Sequence, residues 1–514
     1  MTPPPDAGAR RYLIVALCLV ALIQGVRLLT LTHWELSPDE AYYWVWSRHL
    51  ALSYYDQGPL IAVVIRITTS LFGSNTFGVR LGVWACTTGV LLAAIQLARR
   101  FFSDRAGLIA AVLLLFTPLT TVGSVIATYD ELAALAWAAV ILALERAIYG
   151  PERQQRWWWL SVGVWVGLGM LAKYTMILVA PCVLLFLVLS PEHRVWLKRW
   201  EPWAALAISF AMFSGVLVWN AGHHWWTFSH VLYLANKSRM TASDRFAEFT
   251  GSQAGLLGPV LFVGALWACV AKTRLDRSRQ VFLVSLGLPV FLFFCLLALK
   301  SKVQANWAVT AWISLVVLWA GNLDDGLTEA GKRRRAARNL IGASVITGSV
   351  LCALILWPSS RRLIHLRLKA KTDVTNTTHG WRSLAHEVAI LRSVTESKTG
   401  RPVFVASNGY EYCSEMAFYL PDHPQTWDLF LHNRLDTYAT SIDQLRAHLG
   451  ESAIFVSDSQ QSDKDLRAIF GSVEWQPPMP VYRPGVYRGA IKTNYIALCG
   501  NFNRYEGLNW ASRG

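Results

Sequence analysis

Two adjacent carboxylate pairs, Asp39–Glu40 in "SPDEAYYWVWSRHL" and Asp130–Glu131 in "TYDE", sit beside apolar runs and among aromatic rings. A carboxylate shielded by rings has its charged form disfavoured, which suits it to general-base work on a hydroxyl. For Asp39 and Glu40 the shield would be Tyr42, Tyr43, Trp44, Trp46, Tyr54 and Tyr55. The same acids also suit a capped helix, with Ser37 as cap, Pro38 at the first position and both carboxylates in the favourable first turn. Asp56, in "YYDQGPL", is either a turn residue before Pro59 or part of the same acidic site. Asp130 and Glu131 either cap the following helix or orient a sugar or acceptor.

Basic and amide groups complete the candidate set. Lys173, in "GLGMLAKYTMILVAP", is either a snorkelling lysine at a helix end or a phosphate contact helped by Tyr174 and Thr175. Lys237, Arg239 and Arg245, with Lys300 and Lys302 in "LKSKVQANW", add positive charge that an anionic ligand would use. His223 and His224, in "WNAGHHWW", could bind a metal, but adjacent histidines rarely aim at one ion, so a hydrogen-bonding loop is the better reading. Asn306 either caps a helix or contacts a sugar. No CxxC, Cys/His or carboxylate-rich metal spacing is present, so no cofactor is expected and a divalent ion is not indicated.

These residues need a membrane frame to bring them together. Of 514 residues, 54% are hydrophobic and 16% charged, and 24 are tryptophan, which excludes an ordinary soluble domain. The net charge of +15 comes from short clusters between apolar runs, a topology signal and not a nucleic-acid footprint. At roughly 20 residues per span, the apolar runs predict an all-α polytopic protein of about eleven transmembrane helices. The first, Leu13 to Leu29, lacks a small-residue cleavage site and reads as a retained span. The basic clusters fall on even-numbered connections with the N-terminus, which makes that side cytoplasmic. An odd count then puts the tail outside, together with both acidic pairs, Lys173, the histidines and Asn306. Residues 1–357 are expected to form the membrane domain, with interfacial helices in the first outer loop, 33–75. Residues 358–514 lose the long apolar runs, and "PVFVAS", "EYCSEMAFYL" and "SAIFVSD" predict a small α/β extracytoplasmic domain. Cys413 and Cys499 lie in that tail, where an oxidising compartment would permit a disulfide.

"SPDEAYYWVWSRHLALSYYDQGPLIA", "GLGMLAKYTMILVAP", "VWNAGHHWWTF", "EFTGSQAGLLGP" and "VQANWAV", in that order, resemble bacterial membrane glycosyltransferases related to protein O-mannosyltransferases and lipid A aminoarabinose transferases. "GWRSLAHEV" and "SEMAFYLP" extend the resemblance into the tail. It implies a GT-C fold in the cell inner membrane and transfer of one sugar from a polyprenyl-phosphate carrier to a lipid, polysaccharide or protein acceptor, usually with inversion. It further implies Asp39 as general base with Glu40 beside it, and Lys173 on the carrier phosphate. Tyr174, Lys237, Arg239 and Lys302 would assist there, while Tyr54, Tyr55, Asp56, Asp130, Glu131, His223, His224 and Asn306 are left for sugar or acceptor. The chain has "YDQGPL" where related sequences often have "YDHPPL", so Gln57 and Gly58 replace a histidine and a proline. The competing reading is a lipid or sugar transporter or flippase, which predicts charges buried in mid-span and an internal repeat.

Overall fold

The computed structural model describes residues 7–230, 240–366, 368–431 and 435–503. By contacts the chain divides into two units, one made of Met1–Leu31, Gln57–Ile61 and Arg80–Leu356, the other of Thr32–Asp56, Ala62–Val79 and Trp357–Gly514.

The first unit is helical. It contains α1 (Ala7–Leu29), α4 (Thr76–Phe101, from Arg80), α5 (Asp104–Leu115), α6 (Pro118–Val125), α7 (Tyr129–Tyr149), α8 (Glu152–Ala172), α9 (Val179–Leu189), α10 (Glu201–Gly222) and further helices to Leu356, while α2 (Pro38–Arg48) and most of α3 (Leu60–Phe72) belong to the second unit. Among the described residues six helices are long and apolar enough to cross a membrane, or seven if one bent pair is a single span. The pair, Ala242–Leu257 and Pro259–Ala268, turns by 102°. Gly258 makes the corner at φ 88, a conformation open to glycine, and the ring of Pro259 starts the next helix. The apolar run Ala106 to Ile126 is likewise two helices, because Pro118 supplies no N–H for a continuing ladder and Thr117 caps a new start. The helix Ala311–Thr328 is buried on nearly every face along its first half, as its unbroken apolar run requires of a central element.

The second unit carries a six-stranded sheet of β1 (Val403–Ser407), β2 (Thr426–Asp428), β3 (Ser452–Ser457), β4 (Phe470–Trp475), β5 (Met479–Tyr482) and β6 (Ala490–Phe502). Its order is β2-β1-β3-β6-β4, with β5 on the side of β6; the first three strands are parallel, and β6 runs antiparallel to its neighbours. "PVFVAS" and "SAIFVSD" supply β1 and β3, and "EYCSEMAFYL" gives the helix Tyr410–Tyr419. Leu384, Val388, Val405, Met416, Ile454 and Ile496 meet in the core between sheet and helices. Cys413 and Cys499 are both buried free thiols, so the permitted disulfide is not formed.

The loop after α1, Thr32–Asp56, belongs to this unit. Trp44 packs edge-on against Phe418 with ring centres 5.1 Å apart, Tyr419 accepts a hydrogen bond from the Leu36 N–H at 2.6 Å, and Glu35 accepts from the Trp381 N–H at 2.7 Å. Glu35 thereby places negative charge at the N-terminus of the helix Trp381–Thr399.

Candidate functional site

The candidate residues form two clusters, one in each unit. In the second unit, Ser37 is extended and Pro38 opens α2. Glu40, at the third helical position, is fully buried and accepts from the Ser37 N–H at 2.9 Å and the Ser37 hydroxyl at 3.2 Å. These contacts are the reciprocal half of a capping box, the capping alternative that the sequence offered for this acid. Asp39 lies about 100° round the helix from Glu40. Its side chain is exposed, and Oδ1 accepts from Tyr410 Oη at 2.9 Å. Burial first, and then the charge of Asp39, pushes the Tyr410 phenol far above its ordinary range, so it stays a hydrogen-bond donor.

Tyr42 extends this arrangement. Its ring centre lies 4.4 Å from that of Tyr410, and its hydroxyl donates to Asp56 Oδ2 at 3.0 Å and accepts from the Thr437 N–H at 2.7 Å. Asp56 is therefore tied to α2 and is more than a turn residue. Tyr54 has a structural role: it stacks on Trp46 at 4.3 Å and donates to the carbonyls of Trp46 and His49, closing the end of α2. Tyr55 is half-buried next to it. Behind Tyr42 lies a pair absent from the sequence reading, Asp428 and Asp436, both buried. Burial pushes Asp428 up to about 6, and burial with the charge of Asp428 raises Asp436 well above the carboxylate range. Two such carboxyls hold a proton between them.

In the first unit, three stretches far apart in sequence converge. Lys173 ends α8 in an extended conformation, and its Nζ lies 2.5 Å from Asp130 Oδ1; the two side chains are 5% and 4% exposed. Snorkelling is thereby excluded for Lys173, whose head is turned inward. Asn306, in the turn Ala305–Ala308, donates to Asp130 Oδ2 at 2.6 Å. The Thr128 hydroxyl donates to Glu131 at 2.7 Å and lies 3.2 Å from Asp130 Oδ2. Tyr174 stacks on Phe228 with centres 5.7 Å apart. Gly58 lies so close to the Leu171 carbonyl that a Cβ would overlap it, which accounts for a glycine in "YDQGPL".

Other candidates fall elsewhere. Lys302 is exposed and pairs with Glu248 at 3.3 Å. The His223 ring stacks on Trp219 at 3.9 Å and hydrogen-bonds its carbonyl at 2.8 Å, while His224 is exposed at φ 52, so the two histidines do not converge on one ion. Among the described residues no group of three or more His, Cys, Asp or Glu side chains could hold a metal. Lys237 and Arg239 lie outside the described residues.

The membrane helices are less clean than their hydropathy suggests. Arg27 of α1 is buried, donating to Gln24 at 2.8 Å, the Leu115 carbonyl at 2.6 Å and Thr121 at 2.7 Å. Arg80 of α4 is fully buried and donates to the Leu31 carbonyl at 2.7 Å. Gln24 and Arg27 are three residues apart, a spacing that places both on one helix face and could have flagged them in the sequence.

Comparison with known proteins gives a consistent picture. The sequence profile of the dolichyl-phosphate-mannose-protein mannosyltransferase family matches residues 56–219. The lipid A galacturonosyltransferase RgtD of Rhizobium johnstonii is 33% identical over 285 residues, 54% of this chain and 59% of the relative. The chain thus spans under two thirds of that protein's length. The undecaprenyl phosphate-alpha-4-amino-4-deoxy-L-arabinose arabinosyl transferase of Erwinia tasmaniensis is 24% identical over 398 residues, 72% of this chain and 69% of the relative. Among solved structures, ArnT from Cupriavidus metallidurans bound to undecaprenyl phosphate superposes with a TM-score of 0.66 at 15% identity, covering 97% of this chain and all of that one. At that identity the likeness is one of fold.

Proposed function

We propose that the chain is a membrane glycosyltransferase of the GT-C type, which moves one sugar from a polyprenyl-phosphate carrier onto a hydroxyl of a lipid A-type glycolipid, inverting the anomeric carbon. The observation that carries this reading is the separation of roles within one acidic pair. Glu40 is buried in the helix cap, whereas Asp39 is exposed and held by Tyr410. In this reaction the acceptor oxygen attacks the anomeric carbon as its proton passes to Asp39. The bond from that carbon to the phosphate oxygen breaks, and the carrier leaves as a phosphate monoester.

Lys173 is the residue we assign to the carrier phosphate. An ammonium has three N–H donors, and Asp130 takes one of them, so the others can meet phosphate oxygens while Asn306 fixes Asp130. Charge developing on the leaving phosphate would then meet a donor already oriented, which is the efficient form of electrostatic stabilisation. Tyr174, Lys302, Lys237 and Arg239 remain further candidates for the donor headgroup, and Asp56 and Glu131 for the sugar. In the same reading the chain lies in the bacterial inner membrane, its N-terminus cytoplasmic and about eleven spans leading to a tail outside. Residues 1–357 are the membrane domain and 358–514 the soluble one.

Buried Arg27 and Arg80 are the observations that favour transport instead, since ionisable groups inside a membrane commonly line a pathway. One experiment separates the two readings. The full chain in proteoliposomes receives labelled undecaprenyl-phosphate-linked aminoarabinose or galacturonic acid, with lipid A as acceptor. Transfer predicts label in the glycolipid and a fall of about 10²–10⁴-fold for Asp39→Asn at unchanged melting temperature. Label that accumulates inside the vesicles without incorporation would establish the transporter. Transfer by Asp39→Asn at the wild-type rate would remove Asp39 as base.

A further inference from the structure

Two residues beyond the helix Lys332–Leu356, which is long and apolar enough to cross a membrane, the chain enters the turn Pro358–Ile364 and reverses at His365, φ 55. With the segment Val486–Arg488 this turn bounds a cavity of about 580 Å³. Among the described residues its lining carries Arg361, Arg362, His365 and Arg488 and no carboxylate. Arg361 is buried and ion-paired with Asp373, which also accepts from Tyr487 Oη at 2.8 Å. That carboxylate fixes Arg361 and Tyr487 as a rigid wall, while Arg362, His365 and Arg488 are exposed. In the same turn and just before it, Trp357, Leu363 and Ile364 are 65%, 80% and 58% exposed.

The charge has no topological explanation. A single spanning helix has its two ends on opposite sides of the membrane, and this one begins with Lys332, Arg333, Arg334 and Arg335. The positive-inside rule accounts for basic residues at one end only. A cationic cavity with greasy side chains beside it, in the turn that follows a membrane helix in the chain, matches an amphiphile with an anionic head. Arginine forks suit phosphate oxygens in particular. We propose that this cavity binds the phosphate-bearing headgroup of a membrane lipid, whose chains lie over Leu363 and Ile364. The inference does not depend on the transferase reading, since it uses none of the residues assigned to transfer.

The test uses the full chain in detergent and labelled dioleoyl phosphatidic acid, with dioleoylglycerol as the headless control and inorganic phosphate as competitor. Wild type should retain the phosphatidic acid in preference to dioleoylglycerol. Arg362→Ala/Arg488→Ala should weaken that retention by at least about tenfold at unchanged melting temperature, since each arginine supplies charge-assisted hydrogen bonds. Leu363→Ser, at an exposed position where folding is not at stake, should weaken lipid retention without changing any inhibition by phosphate. Equal retention of the two lipids, or of phosphatidic acid by wild type and both variants, would overturn the proposal. Displacement by millimolar phosphate with no effect of Leu363→Ser would reassign the cavity to free phosphate.

Discussion

Replacing Asp130 by Ala leaves the Lys173 ammonium in a site where its side chain is 5% exposed, and it also removes the acceptor of the Asn306 amide. Removing one partner of a buried ion pair costs about 3–5 kcal/mol, because the remaining charge keeps its desolvation penalty without compensation. Loss of the Asn306 hydrogen bond adds about 1 kcal/mol. Lys173→Met removes the cation but leaves Asp130 with the Asn306 amide as donor, so its penalty should be smaller, about 1–3 kcal/mol. The double variant Asp130→Leu/Lys173→Met has no charge left to bury and should melt above Asp130→Ala. The measurement is thermal unfolding of all four proteins in one detergent at one pH, where the order is the readout: Asp130→Ala lowest, Lys173→Met between, the double variant near wild type. Additive losses, with the double variant lowest, would show that the two groups do not share a buried pair. Transfer assays on the same proteins add the functional half, since a folded Lys173→Met should need a higher half-saturating donor concentration.

Tyr410→Phe keeps the ring on Tyr42 but removes the donor to Asp39; turnover should fall about tenfold with the half-saturating donor concentration unchanged, and a change confined to that concentration would place Tyr410 in donor binding instead. Gly58→Ala drives a methyl into the Leu171 carbonyl and should destabilise by about 1–3 kcal/mol, read as a lowered melting temperature; an unchanged value would mean that the loop yields freely. Asp428 and Asp436 are raised in the fold, Asp428 to about 6, so the unfolded chain loses these protons first and stability falls as pH rises from about 4 through 6 and beyond. Asp436→Asn should flatten that slope and raise the melting temperature at pH 7–8; a slope as steep as wild type from pH 4 to 8 would refute the shared proton.

The sequence disclosed the class of the protein because that class follows from local quantities. Apolar run length and the placement of basic clusters mark a membrane chain, and β-branched runs mark β1 and β3. Pairing was not legible, because it depends on which helix ends meet. Lys173 finds Asp130 across 43 residues, Asn306 reaches it across 176, and Tyr410 reaches Asp39 across 371. Short strands such as β2 and β5 carry too few residues to show a period, and Asp428 and Asp436 look like ordinary loop acids until a fold buries them. The loop after α1 gives the same lesson. Its tyrosines and tryptophans read as an aromatic surround for a site, yet Trp44 and Tyr54 serve mainly to fasten α2 and the loop.

The two acidic pairs show why identical dipeptides need separate experiments. A step of one residue along a helix turns a side chain by about 100°, so neighbouring acids face different surroundings by construction. In Asp39–Glu40 the second acid is directed back to the Ser37 N–H and buried, which leaves the first exposed. In Asp130–Glu131 it is the first acid that is buried and bound to a cation and an amide, while the second accepts from Thr128. Substituting both members of a pair would therefore mix loss of a helix cap with loss of the proposed base, or loss of an ion pair with loss of the proposed sugar contact. Single substitutions divide them: Glu40→Gln should lower stability with turnover per folded molecule retained, whereas Asp39→Asn should cut turnover by about 10²–10⁴-fold with stability retained. If both variants instead lost turnover at full stability, the two carboxylates would act together and the division of labour inferred from their geometry would fail.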